Sequence, residues 1–427
     1  MSAPDLVVFH AHITPCDDAT TQMGAIGELR QIEDGAIVVR GGKITRIGET
    51  ERVLSETTLG PETQLLDAGG RALIPGFVDP HTHALHAGRR IPEMQLRQDG
   101  RGYLEILQAG GGIQETVRAT EAAEDAAIVR ATRQRIAQAV AYGTTAVEVK
   151  TGYGLTAARE TRLLRLLALV RKRAPIAIAR TFLGLHAWPM GTSDRAAHLQ
   201  EMNALLADVA QKELADAVDV FCEEGVFSVE DARAHLEAAR AVSLAIRLHA
   251  DELRPSGGAE LAAELGARSA DHLLAATDEG LRAMAATGVI SVNLPGTAFF
   301  LHERPLQAAR QREAGVRAAL ATDQNPGSSP TFSMPMALAL AMHTAGFRPA
   351  EALLAATRNA AAAVGMEEHR GQLAEGFAAD FLLLDDSDYR VLFYAFGMNP
   401  VSQVFAGGRQ LAQDGNATEE MRQWIDS

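Results

Sequence analysis

Two histidines stand one residue apart in the stretch GFVDPHTHALHAGRR, directly after an apolar run. His81 and His83 occupy positions i and i+2, so on a β-strand their side chains point to the same face. Two imidazoles in that arrangement can bind one metal ion without distorting the backbone. A His-x-His pair also arises by chance, and a lone histidine is more often a hydrogen-bonded structural residue than a ligand. The missing ligands must therefore come from other parts of the chain.

Further polar residues follow apolar runs in the same way. They are Lys150, Tyr153, His186, Glu223, His249, Glu252, His272, Asn293, Asp323 and Asn325. Imidazole and carboxylate groups together suit zinc or ferrous iron, whereas calcium and magnesium prefer mostly oxygen ligands. These residue types therefore favour a catalytic metal site over a purely structural role.

The middle of the chain alternates short apolar runs with helical segments, which predicts a parallel sheet with helical crossovers. Eight such runs occur in about 260 residues, close to the length that a (β/α)₈ barrel requires. We therefore predict an α/β fold, a TIM-like (β/α)₈ barrel, over residues 75–375. Active sites of such barrels lie where the strands end, so the polar residues that follow the runs should converge there.

Both ends of the chain consist of short segments rich in Val and Ile, separated by turn residues. A Gly-Gly pair interrupts the second of these segments as the turn of a hairpin would. We expect residues 1–74 and residues 376–427 to combine into a small β-sandwich domain beside the barrel, with a short tail at the end.

Composition excludes several classes of partner. The net charge of −14 argues against binding to nucleic acid or to an anionic membrane surface. No apolar run approaches the length of a membrane span, and the first residues lack the pattern of a signal peptide. The chain has two cysteines, Cys16 and Cys222, which fits a reducing compartment. We expect a cytoplasmic protein that acts on a small molecule.

Eight stretches resemble the amidohydrolase superfamily. They are DPHTHALHAGRR, AGGGIQETVRATEAA, EVKTGYGL, TFLGLHAWP, DAVDVFCEEGVFS, LHADEL, SADHL and LATDQNPGSSP. They are spread over nearly the whole predicted barrel, and the combination of KTGYG, TFLGLHA and DQNPGSSP is far more specific than His-x-His alone. Members of this superfamily carry their ligands on strands one, five, six and eight of a barrel flanked by a β domain.

The resemblance implies one divalent metal ion, zinc or iron (Fe²⁺ or Fe³⁺). The implied ligands are His81, His83, His249 and Asp323. A superfamily alternative uses two ions bridged by a carboxylated lysine on strand four. That strand ends in DVFCEE without a lysine, and Lys150 ends strand two, so we favour a single ion. Whether Glu223 or His86 ever binds metal is left open.

Within the superfamily, the combination of KTGYG, TFLGLHA and DQNPGSSP is similar to that of enzymes in which water opens the ring amide of 4-imidazolone-5-propanoate to give N-formimino-L-glutamate during histidine degradation, and the resemblance implies this reaction. Glu252 and Asp323 would move protons, and His272 would stabilise the charge that develops on the attacked oxygen. The implied substrate contacts are Arg90, Tyr103, Tyr153, His186, Glu252, Asn325, Gly327 and Ser328. Arg90 suits the propanoate tail because arginine binds carboxylates at two points. Tyr153 and His186 are able to donate hydrogen bonds.

Three other functions stay open at this stage. A related deaminase could use the same HADE and ADH segments, and it would release ammonia without opening the ring. A hydantoinase-like cyclic amidohydrolase is disfavoured by the missing lysine on strand four. A catalytically inactive barrel that serves binding alone would be expected to have lost ligands, whereas all four are present.

The resemblance implies a homodimer.

Overall fold

The computed structural model describes residues 3–18, 20–101 and 111–427. The strands are β1 (Leu6–Ile13), β2 (Ile32–Arg40), β3 (Lys43–Glu49), β4 (Gln64–Asp67), β5 (Ala72–Pro75), β6 (Phe77–Asp79), β7 (Thr144–Lys150), β8 (Ala177–Leu185), β9 (Ala217–Cys222), β10 (Ala245–Ala250), β11 (Ser269–His272), β12 (Ile290–Asn293), β13 (Arg317–Leu320), β14 (Phe381–Leu384), β15 (Val401–Ala406), β16 (Arg409–Gln413) and β17 (Asn416–Ala417). The helices are α1 (Thr50–Ser55), α2 (Ile91–Gln98), α3 (Ile113–Ala122), α4 (Asp125–Ala141), α5 (Ala157–Arg171), α6 (Arg195–Gln211), α7 (Val229–Ala241), α8 (Gly258–Leu265), α9 (Asp278–Thr287), α10 (Pro295–Leu301), α11 (Ala308–Ala314), α12 (Met334–Ala345), α13 (Pro349–Ala356), α14 (Arg358–Ala363), α15 (Val391–Tyr394) and α16 (Glu419–Asp426). Within these ranges, no helix combines the length and the apolarity needed to cross a bilayer.

Strands β6 to β13 form an eight-stranded parallel sheet in chain order, which confirms the predicted α/β barrel. Helices lie between most of these strands, and their apolar sides pack on the sheet through side chains such as Leu164 and Leu236. Several helices begin at a side chain that accepts a hydrogen bond from the first turn, as Ser228 does for α7. Helices therefore cover the outer face of the sheet, which explains why the strand residues on that face are apolar.

The barrel seam is joined just beyond the strand ends. Thr82, which follows β6, forms a parallel bridge with Gln324, which follows β13. The backbone N–H of His83 donates to the Gln324 carbonyl at 2.8 Å, and that of Asp323 donates to the His81 carbonyl at 3.1 Å. The first and last strands thus meet at the residues predicted to bind metal.

Charged side chains occupy alternate positions within the barrel strands. Glu148 and Lys150 share one face of β7, and Arg247 and His249 share one face of β10. All four are buried. Because the opposite face of each strand packs against helices, these charges fill the interior of the barrel.

The two ends of the chain combine in a second, mixed sheet, as predicted. Its order is β17-β16-β15-β14-β5-β1-β2-β3, with β4 pairing along β1. The strands of this small domain all belong to one hydrogen-bonded sheet. One core of this domain includes the stacked rings of Phe381 and Phe405, whose centroids are 4.4 Å apart. The contact of β5 with β14 joins the N-terminal segment to the C-terminal one.

Candidate active site

Four predicted ligands converge at the carboxyl ends of the barrel strands. The Nε2 atom of His83 lies 3.3 Å from that of His81 and 3.4 Å from that of His249. Asp323 Oδ1 lies 3.4 Å from His81 Nε2 and 3.6 Å from His83 Nε2. A tetrahedral ion with bonds of about 2.0–2.1 Å needs ligand atoms roughly 3.3–3.4 Å apart. These separations suit a single metal ion, and His81, His83 and His249 form a group among the described residues whose donor atoms all lie within 4.8 Å of one another and could hold one.

Asp323 is held in a conformation that few residues adopt. Its φ is +50°, in the left-handed region, where Asp is among the more tolerant side chains. The Thr297 hydroxyl donates to Asp323 Oδ2 at 2.5 Å, which leaves Oδ1 facing the histidines. Burial raises the pKa of Asp323 to about 6, against the opposing hydrogen bond from Thr297. Backbone strain of this kind is concentrated at functional sites.

In two of the three histidines, the ring nitrogen that faces away from the cluster lies close to a carboxylate. His81 Nδ1 is 2.6 Å from Asp271 Oδ2, and His249 Nδ1 is 3.0 Å from Asp219 Oδ2. Such partners keep the proton on Nδ1, so that Nε2 is free to bind a metal ion. Among the described residues, the Nδ1 atoms of His83 and His249 are both buried without a well-aligned hydrogen bond, so His249 contacts Asp219 as a close ion pair.

Lys150 lies below these carboxylates and is fully buried. Its Nζ atom is 2.8 Å from both Glu148 Oε1 and Asp219 Oδ2. Burial and Arg247 oppose its charge, but the neighbouring carboxylates outweigh them and raise the pKa of Lys150. A charged, ion-paired ammonium is not available for carboxylation, which agrees with a site for one ion.

A cavity of about 340 Å³ opens above the histidines. Its lining includes the predicted residues Arg90, Tyr153, His186, Glu252, His272, Asn325 and Ser328. Gly327 lies on the far side of Arg90, in a neighbouring cavity of about 480 Å³. Tyr103 lies outside the described residues. Apart from Tyr103 and Gly327, the predicted substrate contacts therefore surround one volume next to the histidines.

Glu252 and His272 form a pair at the cavity wall. His272 Nδ1 lies 3.5 Å from Glu252 Oε1. Burial, with a contribution from Asp323, raises the pKa of Glu252 to about 8. Burial lowers the pKa of His272 well below its ordinary value, with a further contribution from His249. The pair thus combines a carboxyl group that retains its proton with a neutral imidazole, which is a suitable set for proton transfer.

The loop that carries Tyr153 is fixed by a buried carboxylate. Glu160, in the first turn of α5, accepts hydrogen bonds from the backbone N–H groups of Gly152, Gly154 and Leu155 at 2.6–3.1 Å. Sequence reasoning missed this residue, because an acidic residue early in a helix is usually only an electrostatic complement to the helix dipole.

His186 has the opposite hydrogen-bonding role from the one expected. Its Nδ1 lies 3.0 Å from the Gly152 carbonyl, which can only accept, so Nδ1 carries the proton. Burial lowers the pKa of His186 to about 3, with a contribution from His249, so the ring is neutral. His186 therefore presents an acceptor at Nε2 rather than a donor.

Two further residues missed by sequence reasoning surround Arg90. Glu93 Oε2 accepts from Arg90 Nε and Nη2, and Glu93 Oε1 accepts from the Gly112 N–H at 2.7 Å. Arg97 donates to the Gly327 carbonyl at 2.9 Å and also lines the cavity. Arg90 directly precedes α2, and Glu93 and Arg97 follow it at i+3 and i+7, which places all three on one side of the helix. This spacing is the sequence pattern from which their contacts could have been predicted.

Glu223 and His86 lie outside the ligand cluster. Glu223 accepts hydrogen bonds from the backbone N–H groups of residues 252, 253 and 254 and from the Ser256 hydroxyl. These donors occupy both of its oxygens, so Glu223 shapes the loop that carries Glu252. His86 is buried beside the neighbouring cavity, and burial lowers its pKa to about 3.

Comparison with known proteins agrees with this arrangement. The sequence pattern of the amidohydrolase family matches residues 72–411. The chain is 46% identical over 388 residues to an imidazolonepropionase of Symbiobacterium thermophilum, covering 90% of this chain and 91% of that one. It is 43% identical over 401 residues to an imidazolonepropionase of Desulfotalea psychrophila, covering 93% and 97%. An adenosine deaminase from Xanthomonas campestris, solved with bound zinc, is similar in fold, with a TM-score of 0.74 over 100% of this chain and 98% of that one, at 20% identity. The chain belongs to the amidohydrolase family and, within it, to the imidazolonepropionases.

Proposed function

We propose that this protein hydrolyses the ring amide C–N bond of 4-imidazolone-5-propanoate to give N-formimino-L-glutamate. The observation that carries the proposal is the position of Arg90, a carboxylate-binding side chain, in the same cavity as the histidine cluster. An acidic substrate would place its tail on Arg90 and its ring beside the ligands. Relatives with the same activity, at 42–46% identity over about 90% of the chain, support this choice of substrate.

The substrate is oriented by three side chains. Arg90 binds the propanoate through charge-assisted hydrogen bonds. The Tyr153 ring and His186 form the wall beside His83, and the ring centroids of His83 and His186 are 5.0 Å apart. His186 accepts a hydrogen bond from a ring N–H group of the substrate. Asn325 and Ser328, which are hydrogen-bonded to each other, close the cavity at the loop after β13.

The reaction adds one water molecule across the C–N bond. Water attacks the ring carbonyl carbon, and Asp323 accepts its proton. His272 stabilises the negative charge on the carbonyl oxygen as it develops. The C–N bond then breaks, and the departing ring nitrogen receives a proton from Asp323 or Glu252, which leaves an opened chain with a new carboxylate. No nitrogen is released as ammonia.

The proposed cofactor is one divalent ion, zinc or iron, held by His81, His83, His249 and Asp323. When bound, the ion would polarise the carbonyl group and make water a better nucleophile near neutral pH. We also propose that the enzyme works as a homodimer in the cytoplasm. Light scattering on the purified protein measures its mass and thereby tests the dimer.

Turnover of freshly prepared 4-imidazolone-5-propanoate by the metal-analysed protein tests the proposal. We expect the ultraviolet absorbance of the substrate to disappear, with a product that is heavier by one water and no free ammonia. Ammonia release without ring opening would replace the proposal with a deaminase. An absence of turnover by the zinc-loaded and the iron-loaded protein would overturn it.

A further inference from the structure

A cluster of charged side chains lies sealed in the barrel directly beneath the histidine ligands. Its members are Glu148, Lys150, Asp219, Arg247 and Asp271, each 0–1% exposed. We propose that this buried charge network consists of positioning residues that hold two of the histidine ligands and set how tightly the protein retains its metal ion. The inference rests on the metal site of the proposed function.

One ammonium group connects the carboxylates behind two ligands. Lys150 Nζ lies 2.8 Å from Asp219 Oδ2 and 3.7 Å from Asp271 Oδ2. The same Oδ2 atoms lie 3.0 Å from His249 Nδ1 and 2.6 Å from His81 Nδ1. Lys150 therefore restrains the His249 ring through Asp219 and the His81 ring through Asp271.

The network also holds the backbone around the His-x-His pair. Arg247 Nη2 donates to the Pro80 carbonyl at 2.6 Å and to Asp271 Oδ2 at 3.2 Å. Glu148 Oε2 accepts from the Thr82 N–H at 3.2 Å. The backbone on both sides of His81 is thus tied to the same group of charges. Ring orientation and backbone position are fixed together.

The charges in the network are arranged to favour a cation above it. Three carboxylates face two cations, which leaves one net negative charge in a fully buried group. Buried charge is costly unless it is compensated. A divalent ion bound to His81 and His249 would lie next to the two carboxylates that contact those rings and would offset the excess.

The substitution Lys150→Met separates positioning from simple electrostatics because the two effects have opposite signs. Removing a buried cation near a metal ion should strengthen metal binding if only charge matters. If Lys150 acts by holding Asp219 against His249, its loss should weaken metal binding instead. Asp219→Asn and Asp271→Asn remove the contacts behind His249 and His81 directly.

The experiment measures zinc affinity by competition with a chromophoric chelator, using the full-length protein. We expect Asp219→Asn and Asp271→Asn to lower zinc affinity by about 10–100-fold, the range typical of groups that orient metal ligands. Lys150→Met should lower it too. Glu351→Gln is the matched control, because Glu351 is a buried carboxylate paired with Arg312 at 2.7 Å on a helix outside the site. It should bind zinc as the wild type does.

Thermal unfolding of the metal-free variants, measured in parallel, separates positioning from general destabilisation. A merely structural role would lower the unfolding temperature of the metal-free protein but leave the zinc affinity of the folded protein unchanged. That outcome, or tighter zinc binding by Lys150→Met, would overturn the inference. If Lys150→Met does not fold, the two Asn variants decide the question. Failure of the wild type to bind zinc or ferrous iron would instead overturn the metal site itself, and this inference with it.

Discussion

Arg90 is hydrogen-bonded to Glu93, whose Oε2 accepts from Arg90 Nε at 2.9 Å and from Nη2 at 2.6 Å. Both side chains are only 8% exposed. The edge of the guanidinium formed by Nε and Nη2 is therefore occupied by Glu93, and Nη1 lies beside Gly327. Because Glu93 also accepts from the Gly112 backbone, the arginine is anchored to two segments of the cavity wall.

Arg90→Ala should mainly raise KM for the acidic substrate. The tail is bound in the ground state and in the transition state alike, so its loss weakens binding without changing kcat to the same extent. A charge-assisted hydrogen bond contributes about 1.5–3 kcal/mol, which corresponds to an increase in KM of roughly 10–150-fold. Steady-state kinetics measures both constants. Arg89→Ala is the control, since Arg89 lines the neighbouring cavity instead; an unchanged KM for Arg90→Ala would contradict the assignment.

Gly327→Ala should displace Arg90. A Cβ atom at Gly327 would overlap the Arg90 guanidinium, which Glu93 prevents from moving freely. We expect KM to rise while the zinc content of the protein stays constant, as measured by kinetics and metal analysis. Gly27→Ala is a suitable control, because its added Cβ would have no neighbour within 4 Å. Equal kinetics for both variants would show that Arg90 does not need this space.

Glu160→Gln should loosen the Gly152–Leu155 loop. The neutral amide replaces one acceptor oxygen with a donor that faces backbone N–H groups, and each unsatisfied buried group costs about 1–3 kcal/mol. We expect a lower unfolding temperature together with a higher KM, because Tyr153 lies in this loop. Glu201→Gln changes a single exposed acceptor of the N–H at the start of the same helix and should change stability by less than about 0.5 kcal/mol. A Glu160→Gln protein that loses stability but keeps its KM would argue against a role in the site.

Removal of the metal ion should abolish turnover and lower stability. A ligand present at a hundredfold excess over its Kd stabilises the folded state by about 2.7 kcal/mol. Treatment with a chelator followed by calorimetry should show a lower unfolding temperature, which zinc or ferrous iron restores. Magnesium should not restore it, because it prefers oxygen ligands. Full activity of the metal-free protein would contradict the proposed chemistry.

Asp216 should contribute stability that depends on pH. Burial opposes its ionisation, but hydrogen bonds from the Arg180 side chain and backbone outweigh that effect and lower its pKa. Its contribution is therefore complete above the unfolded value of about 3.9 and is lost as the pH falls through the lower folded value. We expect Asp216→Asn to be less stable than the wild type at neutral pH by no more than about 1 kcal/mol, since the pair is partly exposed. Thermal unfolding should show the difference shrinking below pH 4; a constant difference would exclude this linkage.

The barrel and the convergence of its ligands could be predicted because they depend on local patterns. Apolar runs of strand length, repeated with helices between them, specify a parallel barrel. The barrel rule then gathers strand-end residues such as His81, His249 and Asp323 at one face. The spacing of His81 and His83 required only the two-residue period of a strand.

Contacts between side chains distant in sequence could not be predicted in the same way. Lys150 and Arg247 read as ordinary strand-end or strand residues, and only the closed barrel places them against Asp219 and Asp271. The hydrogen-bonding direction of His186 depends on a carbonyl group in another loop. Such features follow from three-dimensional packing and have no periodic signal in the chain.

The joined seam of the barrel has a consequence for biosynthesis. His81 follows the first barrel strand to leave the ribosome, whereas Asp323 follows the last one. Because chains emerge from the N-terminus and domains fold as units, the ligand set can be completed only after nearly the whole barrel has been translated. A nascent chain would therefore carry His81 and His83 without the other proposed ligands throughout most of its synthesis, and binding of the proposed ion would be a late event that coincides with closure of the barrel.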